Sequence, residues 1–309
     1  MIITVTMNPA IDRTIEIADF TVGKVNRIET SKIDVGGKGI NVSKVIQELG
    51  GHSMATGFVG GATGEEIKKH LKDKGIQFKF IDVAEETRTN IKMVDSLKGI
   101  QTDFNESGAP VAEKNIVALK KCIEELCNPG DLVIIAGSTP CNVNHDIYLE
   151  LTQLIKNKGG KVLLDADANY LMEGIKATPF LIKPNLEELQ RAIGTTLEGV
   201  EAIAKAGKDI VKRGITHVVI SMGEEGALFI REEGTIWAQG IQVPVGSTVG
   251  AGDAMVAAMA YGLEQEYDYE KLVRLSMAAG TAAVMTKGTE SAAREKIIEI
   301  EKQVQLISL

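Results

Sequence analysis

The sequence predicts an α/β protein in which helices cover both faces of a mostly parallel sheet, with a second, smaller sheet projecting from it. The first observation is a series of short, continuously apolar runs rich in β-branched residues: MIITVTM, MATGFVG, DLVIIAG, KVLLDAD, PFLIKPN and THVVISMG. Unbroken apolar runs, as opposed to alternating ones, suit strands buried on both faces. The second is that amphipathic stretches of helical length lie between them, such as Val42 to Leu49, Glu65 to Lys74, Glu113 to Leu126 and Val200 to Arg213. Alternation of this kind is the pattern of a helix-covered α/β sheet. The third is that residues 11–37 and 87–108 break the rhythm, alternating polar and apolar residues at period two with no helix between. They are expected to pair as one small antiparallel sheet that the chain leaves for and returns from.

This division assigns residues 1–10, 38–86 and 109–309 to the main domain and 11–37 with 87–108 to the small sheet. A projecting sheet needs its open face covered, so it is expected to serve as a lid, a dimer contact or both, which makes a homodimer the expected assembly. The helical stretches between Glu270 and Gln303 read as packing elements.

Composition removes several classes of function. The 309 residues are 44% hydrophobic and 25% charged, as in a folded globular chain. A net charge of -8 leaves no basic excess to neutralise nucleic-acid phosphates. Cys122, Cys127 and Cys141 have neither C-x-x-C spacing nor a His pattern beside them, so a disulfide framework and a zinc site are not expected. The N-terminal MIITVTMNPAID lacks a signal-peptide pattern, and no apolar stretch has the length of a membrane span. A cytoplasmic protein without a membrane partner is the expectation.

Several strands end in small or polar residues followed by a turn: AGSTP from Ala136, KPNLEE after Ile182 and SMGEEGA after Ile220. Ligands of open α/β sheets bind beyond the carboxyl ends of the strands, so these turns should border one crevice. DVGGKGINVSKV (34–45) sets glycines and Lys38 just before a helix, where backbone N–H groups attract anions. It also reads as a glycine-rich junction, and it lacks the Walker A spacing. STVGAGDAMVAAM (247–259) repeats the glycine turn and adds Asp253. That carboxylate is either a helix N-cap or, beside an anion hole, a general base for a hydroxyl nucleophile.

Taken in order, TMNPAID, GGKGINVSKV, GGATGEEI, ETRTNIK, AGSTP, IKPNLEEL, VISMGEEGAL and TVGAGD resemble the ribokinase-like carbohydrate kinases of the phosphofructokinase-B branch, over nearly the whole chain. The resemblance implies a ribokinase-like three-layer α/β/α domain with a mostly parallel sheet plus a small β-sheet lid. It implies ATP-dependent phosphorylation of a sugar phosphate with Mg²⁺ held chiefly by the nucleotide. GGKGINV and TRTNIK are similar to 1-phosphofructokinases, tagatose-6-phosphate kinases and minor 6-phosphofructokinases, and TDFNESGAPV favours the first of these. The expected reaction is therefore fructose 1-phosphate to fructose 1,6-bisphosphate, with the other two as alternatives. A catalytically silent sugar-phosphate sensor is the alternative of a different class.

On the same resemblance, Asp253 is the base, and Gly250, Ala251 and Gly252 form the anion hole. Asp12, Gly37, Lys38, Asn41 and Ser138 belong to the sugar-phosphate pocket, and Arg88 holds the substrate's existing phosphate. Lys183, Asn185, Ser221, Gly223, Gly226 and Thr248 lie on the nucleotide side. Glu188 acts indirectly on Mg²⁺ and phosphate; otherwise it reads as an exposed acid in a first helical turn. Ser247 stands where the DTxGAGD signature often has Asp, which weakens the case for a monovalent cation in that loop. DADAN (165–169) and STPCNV also depart from the family pattern.

Overall fold

The computed structural model describes residues 1–286, 288 and 290–309, those at 168 and 169 by their backbone alone. The chain opens the main sheet with β1 (Ile2–Thr6) and leaves it for β2 (Ala10–Ile17) and β3 (Thr30–Gly36). It returns through α1 (Lys38–Glu48), β4 (Ser53–Val59), α2 (Gly61–Asp73) and the two-residue strands β5 (Gln77–Phe78) and β6 (Ile81–Asp82), then departs again for β7 (Arg88–Asp95) and β8 (Ile100–Phe104). Alternation then runs through α3 (Glu113–Leu126), β9 (Leu132–Ala136), α4 (Ile147–Asn157), β10 (Lys161–Asp165), α5 (Ala168–Ile175), β11 (Leu181–Ile182), α6 (Leu186–Ile193), α7 (Gly199–Val211) and β12 (His217–Ser221). The hairpin β13 (Gly226–Arg231) and β14 (Gly234–Gln239) is followed by α8 (Ala251–Glu264), α9 (Tyr269–Val284), α10 (Arg294–Glu301) and β15 (Leu306–Ser308).

The main sheet runs β15-β14-β13-β12-β11-β10-β9-β1-β4-β5, with β6 also on β4. It is parallel from β5 to β12, and its last three strands are antiparallel. Successive residues of the parallel strands enter opposite cores. Ile2 and Ile134 pack with α1, α8 and α9 on one face, while Ile3, Val133 and Ile135 pack with α3 and α4 on the other. This two-sided burial is why those strands read as unbroken apolar runs. α8 is buried on every side from Asp253 to Gly262, as expected of a helix that is apolar all round. Among the described residues no helix is long and apolar enough to cross a membrane.

Two expectations need correction. The small sheet, ordered β3-β2-β7-β8, is mixed and not antiparallel: β2 and β7 pair in parallel, Ala10 to Arg88 through Ile17 to Asp95, while each outer strand returns antiparallel. Both outgoing strands depart from the same side of the main sheet, so they run in the same direction and meet at the centre. The first helix also starts four residues earlier than its apolar periodicity suggested, at Lys38, with Gly37 at φ 112° as its N-cap. Lys38 and Gly39 therefore form its first turn and do not precede it.

Candidate active site

A cleft of about 820 Å³ lies beyond the carboxyl ends of β10, β11 and β12, between the small sheet and the turn before α8. Its size is that of a small-molecule site. Gly37, Lys38, Asn41, Asp12 and Arg88 line it, as do Lys183, Asn185, Glu188, Ser221, Gly223, Gly226, Thr248 and the whole of 250–253. Ser138 does not. It is half-buried beside the cleft and its hydroxyl accepts a hydrogen bond at 3.2 Å from Nδ2 of Asn8, in the turn between β1 and β2.

Gly250 is the N-cap of α8 with φ 86°, a left-handed conformation natural to glycine. The N–H groups of Ala251, Gly252 and Asp253 precede the first helical bond, from Ala254 N to Gly250 O at 2.9 Å, and are the orphan donors of a helix start. Asp253 is the third helical residue and makes no capping bond, which removes the N-cap alternative. Its Oδ2 accepts from Asn41 Nδ2 at 2.8 Å, across 212 residues of sequence. Burial first, and then the charge of Asp165, push its pKa up to about 6, against the pull of Lys38, Asn41 and Lys183. A carboxyl of that strength is largely ionised at neutral pH and is well matched to accepting a proton there.

Asp165, at the end of β10, lies between two lysines. Its Oδ1 is 3.4 Å from Lys183 Nζ and 3.6 Å from Lys38 Nζ, without a hydrogen bond of good geometry to that oxygen. Burial opposes its charge, but Lys183 and Lys38 more than compensate and hold its pKa below the usual carboxylate range. Asp165 in turn raises the pKa of Lys38. The ammonium of Lys183 also rests against the helix start, since a Cβ added to Gly252 would lie 2.9 Å from its Nζ. Lys183 thus stands beside the orphan N–H groups, and Lys38 shares its carboxylate partner Asp165. DADAN had no role assigned from its residues; Asp165 and Asp167 line the cleft, and the side chains at 168 and 169 lie outside the described residues.

Asn185 and Glu188 form a capping box on α6. Glu188 N donates to Asn185 Oδ1 at 2.7 Å and Asn185 N to Glu188 Oε2 at 2.8 Å. Glu188 is buried, contrary to the exposed reading, and burial raises its pKa. Short-range capping chemistry therefore fixes these side chains on the cleft wall.

At the other end, the polar face of the small sheet roofs the cleft. Asp12, 7% exposed, accepts from Asn90 Nδ2 at 2.9 Å and pairs with Lys92 Nζ at 3.2 Å. Arg88 gives Nε and Nη2 to Asn8 O at 3.3 and 3.1 Å, and Nη1 to Glu106 O at 2.7 Å. Much of its donor fork is thus already spent on backbone carbonyls. Sequence reasoning passed over Asn90, Lys92 and Asp103 as individual site residues, although the alternation of Asn90 and Lys92 with Arg88 along one face of β7 was a usable signal; Asp103 stands opposite Lys92 on β8. It also missed the mostly apolar segment of Ile241, Val243 and Val245, which with Met277 lines the cleft as well. Among the described residues no group of three His, Cys, Asp or Glu side chains is arranged to hold a metal ion.

The sequence profile of the pfkB family carbohydrate kinase matches residues 5–296. The 1-phosphofructokinase of Bacillus subtilis is 35% identical over 303 residues, covering 97% of this chain and 99% of its own. Phosphofructokinase-2 from Escherichia coli, solved in complex with substrates and products, superposes with a TM-score of 0.94 at 30% identity, covering 98% of this chain and 99% of that one. The same enzyme solved in complex with potassium gives a TM-score of 0.93 at 30% identity, covering 98% of each chain. The chain belongs to the pfkB family of carbohydrate kinases, which are ATP-dependent sugar kinases.

Proposed function

We propose that this member of the pfkB family transfers the γ-phosphoryl group of ATP to the free terminal hydroxyl of a ketohexose monophosphate, with fructose 1-phosphate giving fructose 1,6-bisphosphate. The observation that carries the reading is Asp253 at the start of α8, held by Asn41 beside unpaired N–H groups and flanked by Lys38 and Lys183. The substrate is supported by the full-length similarity to 1-phosphofructokinase.

On this reading the sugar hydroxyl lies between Asp253 and the γ-phosphate. Asp253 accepts its proton as the oxygen bonds to phosphorus, the bond to the β,γ-bridging oxygen breaks, and ADP leaves. The N–H groups of residues 251–253 and the two ammoniums stabilise charge on the phosphoryl oxygens without having to reorganise. Asp12 holds sugar hydroxyls and Arg88 gives its remaining donors to the resident phosphate. The small sheet acts as the lid, excluding water that would otherwise take the phosphoryl group. Mg²⁺, when bound, neutralises charge on the transferring phosphates. The donor set fits an ion held mainly through phosphate and water, with Glu188 reaching it indirectly, since a cation beside that buried carboxylate would relieve the cost of its charge.

The outer face of the lid supports a homodimer. Ile33, Ile91, Ile100 and Phe104 are 51, 37, 54 and 52% exposed, and register aligns Ile33, Arg13, Ile91 and Phe104 in one row across four strands. A second copy covering this row would remove the exposed apolar face of the sheet.

An ADP-release assay with fructose 1-phosphate, fructose 6-phosphate and tagatose 6-phosphate tests the reading. The highest kcat/KM is expected with fructose 1-phosphate. Release of no ADP with any of the three would overturn it.

A further inference from the structure

The lid carries a buried ion pair whose presence is not explained by folding. Asp12 and Lys92 are 7 and 8% exposed on the cleft face of adjacent central strands. A buried pair of this kind seldom stabilises a fold more than apolar residues of similar size would.

The hydrogen-bond inventory points to what the pair is for. Asp12 is held from two sides, Oδ1 by Asn90 Nδ2 at 2.9 Å and Oδ2 by Lys92 Nζ at 3.2 Å. Behind it the backbone comes so close that a Cβ on Gly36 would lie 2.7 Å from Oδ2. The carboxylate therefore has one fixed orientation. An ionised carboxylate has about four acceptor sites and an ammonium three donors, so this arrangement leaves about two acceptors on Asp12 and about two donors on Lys92. Asp12, Asn90 and Lys92 all line the cleft. A ligand that satisfies both must offer a donor and an acceptor side by side, which is what a hydroxyl pair on neighbouring carbons does.

We infer that Lys92 is a binding and positioning residue of the sugar end, forming with Asp12 and Asn90 a fixed donor–acceptor unit that engages vicinal hydroxyls of the ketohexose phosphate. This rests on the kinase reading above and gives that site a component beyond Asp12 and Arg88. Lys92 acts on where the sugar lies, while the nucleotide end, built from other elements, is untouched.

The test compares Lys92→Gln, which keeps a donor for Asp12 but loses the charge, with Lys92→Arg, which keeps both. KM for fructose 1-phosphate should rise about tenfold to a hundredfold in Lys92→Gln, the size expected for charge-assisted hydrogen bonds, and recover in part in Lys92→Arg. KM for ATP should stay within about twofold of wild type. Thermal-shift titration with fructose 1-phosphate in the absence of nucleotide should show the same order of affinities, independently of turnover. A Lys92→Gln enzyme that binds the sugar phosphate as wild type does would overturn the inference. So would an equal rise in both KM values, the sign of a merely structural role. Absence of wild-type turnover on all three sugar phosphates would overturn instead the kinase reading beneath it.

Discussion

Replacing Asp253 with Asn should abolish most turnover and at the same time make the protein more stable. Burial and the neighbouring charge of Asp165 raise the Asp253 pKa from 3.8 to about 6. At 1.36 kcal/mol per pH unit, holding this group ionised in the folded state costs about 3 kcal/mol at neutral pH. The sign follows from linkage: a carboxyl whose folded pKa is raised contributes stability below the unfolded value near 3.8 and loses it as pH rises through about 6. Asn has no charge to bury, and its carbonyl oxygen still accepts from Asn41. With about 2.1 cal/mol/K per residue for the unfolding entropy, about 3 kcal/mol corresponds to a rise in Tm of roughly 4–5 °C for a chain of this length.

Loss of the base should lower kcat by about 10² to 10⁴. The assays are coupled ADP release for activity, and calorimetry of wild type and variant at pH 7 and at pH 5. The stability gap should narrow at the lower pH, where wild-type Asp253 is largely protonated. A variant retaining more than about a tenth of wild-type activity, or one less stable than wild type at pH 7, would refute the reasoning.

Three further outcomes follow from the same geometry. Because Asp253 must be ionised to accept a proton, kcat/KM for the sugar should be flat near neutral pH and fall about tenfold per pH unit below about 6; a profile level down to pH 5 would exclude a base of that strength. Gly252→Ala places a methyl group 2.9 Å from Lys183 Nζ, the movable end of a long side chain, so Tm should change by less than about 2 °C while kcat falls about tenfold or more as the ammonium is displaced. Activity in Na⁺ and K⁺ should agree within about twofold, since Ser247 brings a hydroxyl that accepts from Val249 N at 3.2 Å and no carboxylate; a strong K⁺ requirement would show that the loop binds the cation without one.

The alternation of apolar runs and amphipathic stretches was enough to reveal the helix-covered parallel sheet, because burial on both faces leaves its mark residue by residue. The glycine turn at 250–252 and the Asn185–Glu188 capping box were equally legible, because their chemistry spans only a few residues. Even so, the position of Asp253 inside the helix, as opposed to at its cap, needed the backbone.

What the tertiary structure alone decided is the environment of those residues. Asn41 meets Asp253 across 212 residues, Asp165 draws Lys38 and Lys183 together from two different elements, and Lys92 meets Asp12 only because two separate excursions of the chain pair in parallel. Hydrophobic periodicity and capping are short-range and are written along the chain. The proton affinity of a buried carboxylate depends on the charges around it in space, and those are set only when distant segments pack.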